Sequence, residues 1–330
     1  YPRFIYESYD WSIKGRDLAM SFSFLLAPDI RFRPKVVIKN IDPNKVAKLA
    51  KKGAVDNFVF HLGLAEIPSY WKATASPVIE IKAGNLDQFQ RAWWKKLILK
   101  GMGEYFYIHR INFTKPGFLS IKSNESDKSH KSDKTYKSNR ILIPMGGGKD
   151  STVTLEILKG QYSIRTLMLN PTDRMRKIAR RSRTPAPIVI ERKIDPALLL
   201  LNKNGYLNGH TPFSAYLAFL SVFCAAIFDY RYIALSNERS ASEGNVRYRG
   251  KTINHQYSKS HEFERDFRDY SKKYLVSGIE YFSFLRPLYE IQIARLFATM
   301  SRYFFEILSC NRGQKKGTWC LACPKCLFAY

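Results

Sequence analysis

Hydrophobic residues change their spacing near residue 141, so the two halves of the chain predict different structures. From this point onward, short apolar runs alternate with longer segments whose apolar residues recur at helical spacing. The predicted elements are the strands 141–145, 163–169, 187–194 and 232–236 and the helices 149–160, 172–182 and 215–230. Strands that alternate with helices form parallel sheets, so this half is predicted to be a doubly wound α/β domain.

The first half mixes aromatic-rich runs with one clear helical stretch at 86–101, which ends at a glycine. We predict a smaller α+β domain over residues 1–118. Residues 119–140 are rich in Ser, Lys and Asp and have little to bury, which predicts a solvated loop or linker. The α/β domain then occupies residues 141–330.

Composition limits the classes of protein that fit. The chain has 330 residues, of which 45% are hydrophobic, and its formal net charge is +26. This charge favours phosphate-bearing or polyanionic partners, although a generally basic surface explains it equally well. The longest uncharged apolar stretch, 213–228, is shorter than the ~20 residues of a membrane span, so we predict a buried helix and no span. Because the sequence begins with Tyr1, we expect trimmed termini.

Three glycines separate the first predicted strand of the α/β domain from its helix. Glycine lets a backbone adopt positive φ and approach a phosphate, and the N-terminus of a helix attracts negative charge. Within this loop, Asp150 is a candidate Mg²⁺ ligand and Ser151 a candidate phosphate donor. The order of residues matches neither the Walker pattern nor the dinucleotide fingerprint. The predicted nucleotide-binding residues here are Gly146, Gly147, Gly148, Lys149, Asp150 and Ser151.

Four of the five cysteines lie in the last 21 residues, with the spacing C-x9-C-x2-C-x2-C. Four thiolates at short spacing predict a closed tetrahedral Zn²⁺ site, a zinc knuckle over 310–326, whose role is structural. An iron–sulfur cluster and unligated buried cysteines are the alternatives. The cysteines do not form a framework spread over a secreted domain, so a reducing compartment, the cytoplasm, is predicted. The four ligands are Cys310, Cys320, Cys323 and Cys326.

Polar runs at 208–210, 236–245 and 255–261 are poorly explained by packing. Ligands of parallel sheets bind beyond the carboxyl ends of the strands, which should bring loops 146–151, 170–172 and 236–245 together. Any single residue in these runs is as consistent with capping or surface exposure as with function. Taken together beside a nucleotide loop, they favour a binding site.

Several motifs resemble known families. The loop GGGKDS resembles the Ser-Gly-Gly-x-Asp-Ser loop of the PP-loop ATP pyrophosphatases, with Gly146 in place of the first serine, and the cysteine tail resembles that of 7-cyano-7-deazaguanine synthase. Longer motifs resemble the UDP-N-acetyl-α-D-muramoyl-L-alanyl-L-glutamate epimerases of bacterial peptidoglycan synthesis. These are LNGHTP, LSNERSASEGN, NHQYSKSHEFE and YFSFLRPLYEIQIARLFA in the α/β domain, and FHLGLAEIPSYWKA and AWWKKLILKGMGEYFY in the first domain.

The epimerase resemblance implies a PP-loop fold and an ATP- and Mg²⁺-dependent reaction on a UDP-muramoyl-dipeptide. ATP would convert the terminal L-glutamate carboxylate into an acyl-adenylate, which makes the α-proton acidic enough to remove. Reprotonation on the other face and hydrolysis would release the D-glutamate product, AMP and pyrophosphate. Mg²⁺ and backbone donors at the glycine loop would carry the phosphate charge.

The resemblance leaves the identity and number of the catalytic bases open. His210 and His255 are the first candidates, because imidazole titrates near neutral pH. Tyr257 and Lys259 follow, and Lys259 could instead neutralise substrate carboxylates. Further nucleotide contacts are expected from the loop at 236–245, where Glu238 could also bind Mg²⁺ or ribose. The nucleotide-binding candidates there are Ser236, Asn237, Glu238 and Ser240.

One run in the first domain has two interpretations. It either contacts the UDP-sugar or forms an ordinary aromatic core segment. Its residues are His61, Glu66, Tyr70, Trp71 and Lys72.

Two other functions stay open at this level. Another PP-loop adenylating enzyme would act on a tRNA base or a deazaguanine carboxylate, and the net charge of +26 suits tRNA. However, no thiolation cysteines or added RNA-binding domain are recognised, so a nucleic-acid partner is not expected. A nucleotide-binding protein without turnover is the third possibility, which the intact Asp150–Ser151 pair disfavours. The sequence does not determine the oligomeric state.

Overall fold

One large mixed sheet runs through the part of the chain that the structure describes. The computed structural model describes residues 1–125, 131, 136, 138–310, 312–313 and 317–329. The strands are β1 (Arg3–Lys14), β2 (Asp17–Leu26), β3 (Ile30–Phe32), β4 (Lys35–Ile38), β5 (Val78–Ile81), β6 (Ser120–Ser123), β7 (Ile141–Pro144), β8 (Ile164–Leu169), β9 (Ile188–Lys193), β10 (Tyr232–Leu235), β11 (Val246–Tyr248), β12 (Lys251–Ile253) and β13 (Glu280–Ser283).

Helices surround this sheet and connect most of its strands. They are α1 (Pro43–Ala50), α2 (Ala54–Trp71), α3 (Gln88–Gly101), α4 (Gly103–Ile108), α5 (Lys149–Lys159), α6 (Asp173–Ser182), α7 (Pro196–Lys203), α8 (Phe213–Phe228), α9 (His261–Tyr274), α10 (Glu290–Ala298) and α11 (Pro324–Ala329). Every strand and helix predicted for residues 141–236 is present, with small shifts at the ends. Within the described residues, no helix is both long enough and apolar enough to cross a membrane.

The order of the strands is β13-β10-β7-β8-β9-β4-β2-β1-β5-β6, with β3 at the side of β2. The five strands from β13 to β9 are mutually parallel, as predicted for the second half of the chain. Strands β4, β2 and β1 then follow in antiparallel order, and β5 and β6 lie parallel to β1. The fold is therefore α/β with a large, mostly parallel mixed sheet.

The burial of strand β7 shows why the second half of the chain folds as a sheet with helices on both faces. Its three isoleucine and leucine residues are all buried, which requires cover on both faces of the sheet. Leu142 belongs to a core that includes α8, whereas Ile141 and Ile143 belong to a second core that includes α5 and α10. Helix α8 is buried almost throughout, and Cys224, in its C-terminal half, is a core residue, as predicted.

The sheet also joins the two predicted domains. Strand β4 pairs antiparallel with β9, from Lys35 opposite Lys193 to Ile38 opposite Ile190. Nearby, Arg192 Nε donates to both carboxylate oxygens of Glu66 at 3.0 Å. Glu66 is completely buried and the Arg192 side chain is 9% exposed, so this ion pair joins α2 to β9 almost entirely out of solvent. The hydrophobic cores of the first and second halves of the chain are therefore continuous where β4 meets β9.

Part of the predicted linker at 119–140 is structured. Its first residues form β6, which pairs with β5 and extends the sheet, so the prediction of a loop is wrong for Ser120–Ser123. Residues 126–130, 132–135 and 137 lie outside the described residues. The domain boundaries at 118 and 140 stay predictions.

Candidate active site

The glycine loop connects β7 to α5 with a backbone that requires glycine at one position. Gly147 has φ of +80°, and a Cβ atom there would lie 2.8 Å from Met175 Cγ. At Gly146, by contrast, a Cβ atom would meet nothing within 4 Å. Gly148 directly precedes α5, with no side chain to cap the helix. The loop thus leaves open space next to exposed backbone at a helix N-terminus.

Replacing Gly147 by alanine is expected to lower the free energy of unfolding by about 1–2 kcal/mol, because a Cβ atom disfavours positive φ and would displace Met175. Gly146→Ala is the matched control and should change stability by less than about 0.5 kcal/mol. Urea denaturation of both variants measures the difference. Equal unfolding midpoints for the two variants would contradict this account of the loop.

Lys149 is held in an ion-pair network at the start of α5. Its Nζ donates to Asp150 Oδ1 at 2.8 Å and to Glu290 Oε1 at 2.9 Å. Burial acts to lower the pKa of Lys149, but the two carboxylates outweigh it, so the pKa is raised and the ammonium stays charged. Glu290 begins α10 and was not a candidate from sequence, because nothing local indicates this long-range pairing.

A cavity of about 500 Å³ opens beside the loop, within the usual range for small-ligand sites. Gly146 and Gly147 line one side, and Thr172, Arg174 and Lys177 line the side contributed by α6 and the loop before it. The loops that follow β7 and β8 therefore meet, as expected for parallel strands. Asp173 and Glu306 also line the cavity and offset the charges of Arg174 and Lys177, so the feature that suits a phosphate here is the glycine backbone at the helix N-terminus.

The loop after β10 offers an unsatisfied polar atom. Ser236 Oγ is buried and has no hydrogen-bond partner among the described residues. Asn237 Nδ2 donates to Ser283 Oγ at 3.1 Å, and Glu238 Oε2 accepts from Ser240 Oγ at 2.7 Å. A buried hydroxyl without a partner is costly, and a bound ligand can supply the missing bond.

Arg286 connects this loop to the segment that contains two candidate catalytic residues. Its guanidinium donates to the backbone oxygens of Glu238 and Lys259, at 2.8 and 2.6 Å, and to the Glu264 carboxylate at 3.0 Å. Tyr257–Lys259 form a 3₁₀ turn. The sequence motif contained Arg286 but did not indicate that it bridges the two loops.

His210 and His255 lie together at the start of the long helix α8. Their ring centroids are 6.4 Å apart, and Glu104 Oε2 lies 3.7 Å from His210 Nδ1. The pKa of His210 is lowered by burial, and the positive charges of Lys259 and Lys72 and the neighbouring His255 act in the same direction. Glu104 opposes them. Glu104 is another partner that sequence reasoning missed.

Both nitrogens of the His255 ring have polar neighbours, which fix the orientation of the ring. Its Nδ1 contacts Asn245 Oδ1, and its Nε2 lies 3.1 Å from Gln256 Nε2. The ring is half-buried, so a bound substrate can reach it. His210 is similarly half-buried, with 35% of its side chain exposed.

Charged residues of the glycine loop and of the loop after β10 act on Lys259, which follows His255 closely in the chain. Its pKa is lowered by burial and by Lys325, whereas the carboxylates of Asp150, Glu238 and Glu290 raise it. The three predicted polar segments meet through direct contacts, since His255 contacts Asn245 Oδ1 and lies 6.4 Å from His210 between ring centroids. Residues 286–290 reach the glycine loop as well, because Arg286 donates to the backbone of Lys259 and Glu290 accepts from Lys149. Tyr257 is less suited to proton transfer, because burial raises the pKa of its hydroxyl well above the ordinary range.

The first-domain run is mostly core. His61, Glu66, Tyr70 and Trp71 are all buried, and burial lowers the pKa of His61 to about 4. His61 Nδ1 lies 2.8 Å from the backbone oxygen of Asn57, its partner within α2. Of the two interpretations, the core applies to these four residues. Only the fifth, Lys72, extends towards the site, where its Nζ donates to the backbone oxygen of Gly209 at 3.4 Å.

The four cysteines of the tail converge, and they can hold a metal ion. Their sulfur atoms all lie within 4.8 Å of one another. The separations Cys323–Cys326 and Cys320–Cys326, 3.4 and 3.7 Å, are close to the ~3.8 Å between thiolates 2.3 Å from one tetrahedral Zn²⁺. Backbone N–H groups of Gly313 and Cys320 donate to Cys310 Sγ. The donor set therefore fits a four-thiolate metal site.

This cluster supports the glycine loop. The backbone N–H of Leu308 donates to the backbone oxygen of Gly147 at 3.2 Å. On the other side of the loop, Lys149 Nζ lies 5.3 Å from the centre of the Phe328 ring, in α11. The cysteine segment thus contacts Gly147, which lines the cavity of about 500 Å³, and Lys149 at the start of α5.

Comparison with known proteins agrees with the motifs. The profile of the MurL N-terminal domain matches residues 1–284. An enzyme of Xanthomonas oryzae pv. oryzae named UDP-N-acetyl-α-D-muramoyl-L-alanyl-L-glutamate epimerase is 32% identical over 269 residues, or 79% of this chain and 59% of the relative. Enzymes of the same name from a Micromonospora species and from Salinispora tropica are 35% and 34% identical, each over 79% of this chain and over 59% and 58% of their own length.

These matches confirm the family resemblance drawn from the motifs. The chain spans about three-fifths of the length of the curated relatives it matches. No solved structure matches this chain.

Proposed function

Because the chain belongs to the MurL N-terminal domain family, we propose that it catalyses the ATP- and Mg²⁺-dependent epimerisation of the terminal L-glutamate of UDP-N-acetylmuramoyl-L-alanyl-L-glutamate. The relatives it matches carry the name of this activity. The observation that supports the proposal most is that residues 286–290 contact both parts: Glu290 accepts from Lys149 of the glycine loop, and Arg286 donates to the backbone of Lys259, close in the chain to the His210–His255 pair. A phosphate-binding loop and paired proton-transfer groups are the two parts that this reaction needs.

Carboxylate activation would take place at the glycine loop. The open space at Gly146, the unpartnered Ser236 hydroxyl and the charged Lys149 suit the phosphates and ribose of ATP. Asp150 would hold Mg²⁺, since its side chain is 36% exposed and offers a carboxylate at the helix start. When bound, Mg²⁺ would neutralise charge that develops on the phosphates. Ser151 now donates to the backbone oxygen of Gly148, so its hydroxyl lies at the loop.

Proton transfer would follow at the histidines. The adenylated carboxyl group is no longer anionic, so its α-proton can be removed by a neutral imidazole. The ring separation of 6.4 Å between centroids is about twice the ~3 Å reach of a proton transfer. The spacing is too narrow for an α-carbon directly between the rings, so the substrate α-carbon would lie beside the pair, within reach of either imidazole. Lys259 would stabilise the carboxyl oxygens, and the cysteine cluster, with Zn²⁺, would keep the loop in shape.

A single assay tests the function. The protein is incubated with ATP, Mg²⁺ and the UDP-muramoyl-dipeptide, after which AMP release and the configuration of the glutamate are measured. We expect AMP together with D-glutamate in the product. AMP formed only with tRNA or with a deazaguanine carboxylate would assign one of the other adenylating activities. A folded protein that binds ATP but leaves glutamate in the L-form would reject the epimerase.

The pH dependence of kcat/KM should change when Glu104 is replaced. The base must be neutral, so activity falls as the pH drops through its pKa, which for His210 is lowered by burial. The Glu104 carboxylate raises that pKa against the effects of His255, Lys259 and Lys72. Removing its charge with Glu104→Gln should lower the pKa further and move the acidic limb of kcat/KM to lower pH.

The control is Glu191→Gln, an exposed acid that pairs with Lys39 and is not among the groups that shift the pKa of His210. It should leave the acidic limb where it is. An acidic limb that stays in place or moves to higher pH in Glu104→Gln would show that His210 is not the base.

A further inference from the structure

A second and larger cavity lies away from the glycine loop. Its volume is about 900 Å³, and it is enclosed by α3, the loop at 113–114, the β11–β12 hairpin and the start of α9. None of its lining residues also lines the cavity beside the glycine loop. The volume exceeds what one small ion needs and lies in the range of cofactor-sized ligands.

Positive charge dominates the lining. Four lysines and a single carboxylate, Glu262, face the cavity. Glu262 is already bound by Lys96 at 2.9 Å and Lys100 at 2.7 Å. The other two, Lys95 and Lys251, are exposed and pair with no carboxylate among the described residues. A ligand with two or three negative charges, such as a diphosphate, would balance this excess.

The remaining lining suits a nucleoside more than a bare anion. The Phe113 ring is held in place by stacking on Phe106 and Tyr248, with centroids 4.9 and 6.2 Å apart, and the residue is partly exposed at the cavity. Thr114, Thr252 and Asn254 add hydroxyl and amide groups. An aromatic surface beside short polar side chains is a common setting for a base and a ribose.

The cavity borders the candidate catalytic pair. Asn254 and Tyr257 line it, and His255 lies between them in the chain, near His210. Ile253, the residue before Asn254, also lines the cavity and would be 2.9 Å from a Cβ atom on Gly103, next to Glu104. A ligand bound here could thus extend past this segment to the two imidazoles.

We propose that this cavity binds the nucleoside diphosphate of a nucleotide-linked substrate, with Lys95 and Lys251 on the phosphates and Phe113 beside the base. The inference rests on the proposed function for the identity of the nucleotide, UDP. It assigns the chain a second nucleotide site, separate from that for ATP, and places the reacting end of the substrate at His210 and His255.

The test uses the full chain, with UDP as the probe and a non-hydrolysable ATP analogue present to occupy the glycine loop. Isothermal titration calorimetry compares the wild-type chain with Lys95→Ala/Lys251→Ala. The double variant should weaken UDP binding by about tenfold or more, because each lysine contributes a charged contact. Its affinity for the ATP analogue should stay within about twofold. The matched control is Lys45→Ala/Lys48→Ala, two exposed lysines on α1 with the same change in net charge.

Each outcome bears on the proposal. Loss of UDP affinity in the cavity variant but not in the control supports it. Equal UDP affinity in all three proteins, or no UDP binding to the wild type at millimolar concentration, overturns it. Inorganic pyrophosphate that binds as tightly as UDP would reduce the site to an anion site and overturn the nucleoside assignment. ADP that competes equally with UDP would overturn the base preference.

The result is separable from the proposed function. UDP binding that depends on Lys95 and Lys251, without any epimerisation, would keep this site and reject the epimerase. Epimerisation that proceeds with unchanged KM for the UDP-linked substrate in Lys95→Ala/Lys251→Ala would keep the epimerase and reject this site.

Discussion

Replacing Asp150 by asparagine is expected to slow AMP formation by about 10³-fold, which corresponds to about 4 kcal/mol of lost transition-state stabilisation. The substitution removes the negative charge proposed to hold Mg²⁺ but keeps the shape of the side chain. Asparagine also keeps an oxygen that can accept from Lys149, and Lys149 retains its bond to Glu290. Stability should therefore change little, so the loss would be chemical.

AMP release at several Mg²⁺ concentrations measures the effect. Asp150→Asn should need more Mg²⁺ for half-maximal rate in addition to its lower maximum. Asp269→Asn is the control, since Asp269 is an exposed acid on α9 with no side-chain hydrogen bond or ion pair to a described residue. A rate for Asp150→Asn within about threefold of wild type would show that this carboxylate does not hold the metal.

Replacing Cys323 by serine is expected to release the metal and destabilise the C-terminal segment. The wild-type chain should contain about one zinc ion, and the variant less than about a tenth of that, because a closed site needs all four thiolates. Structural zinc supplies about 10–16 kcal/mol of binding energy in isolated zinc-finger peptides, so the local effect is large. The glycine loop should suffer too, because Leu308 donates to Gly147.

Metal analysis, thermal unfolding and ATP affinity together measure this effect. Cys224→Ala is the matched control, because Cys224 is buried in α8 and takes no part in the cluster. It should lose some stability through the cavity it leaves but keep its zinc. Zinc retained in Cys323→Ser would contradict the four-thiolate site. Iron with sulfide and a visible absorption band in the wild type would replace zinc by an iron–sulfur cluster.

The local pattern of apolar residues was enough to predict the strands and helices of the second half of the chain. Strands such as β7 and helices such as α5 are bounded by glycines and differ in the period of their apolar residues, and both signals are short-range. The cysteine cluster could also be predicted locally, since three of its four cysteines lie within seven consecutive residues. The same short-range logic failed at β6, where a polar segment gains a strand only by pairing with β5.

Contacts between distant segments of the chain could not be predicted from local pattern. Nothing in the sequence near β4 indicates that it will pair with β9, which lies more than 150 residues further along the chain. The buried Glu66–Arg192 pair is similar, because each side chain alone looks like a surface residue. Glu104 and Glu290 were missed for the same reason. They form ion pairs with His210 and Lys149, two candidate residues that the sequence did identify.

By itself, the sequence determined the parallel α/β half, the glycine loop, the four-cysteine cluster and the family, because each depends on residues close together in the chain. Tertiary structure decided the rest. It joined both halves in one sheet, turned the His61 run into core, and paired His210 with His255 across 45 residues. It also enclosed a lysine-lined cavity from four separate segments. Burial and charge at such places depend on which distant segments meet, and only packing of the whole chain specifies that.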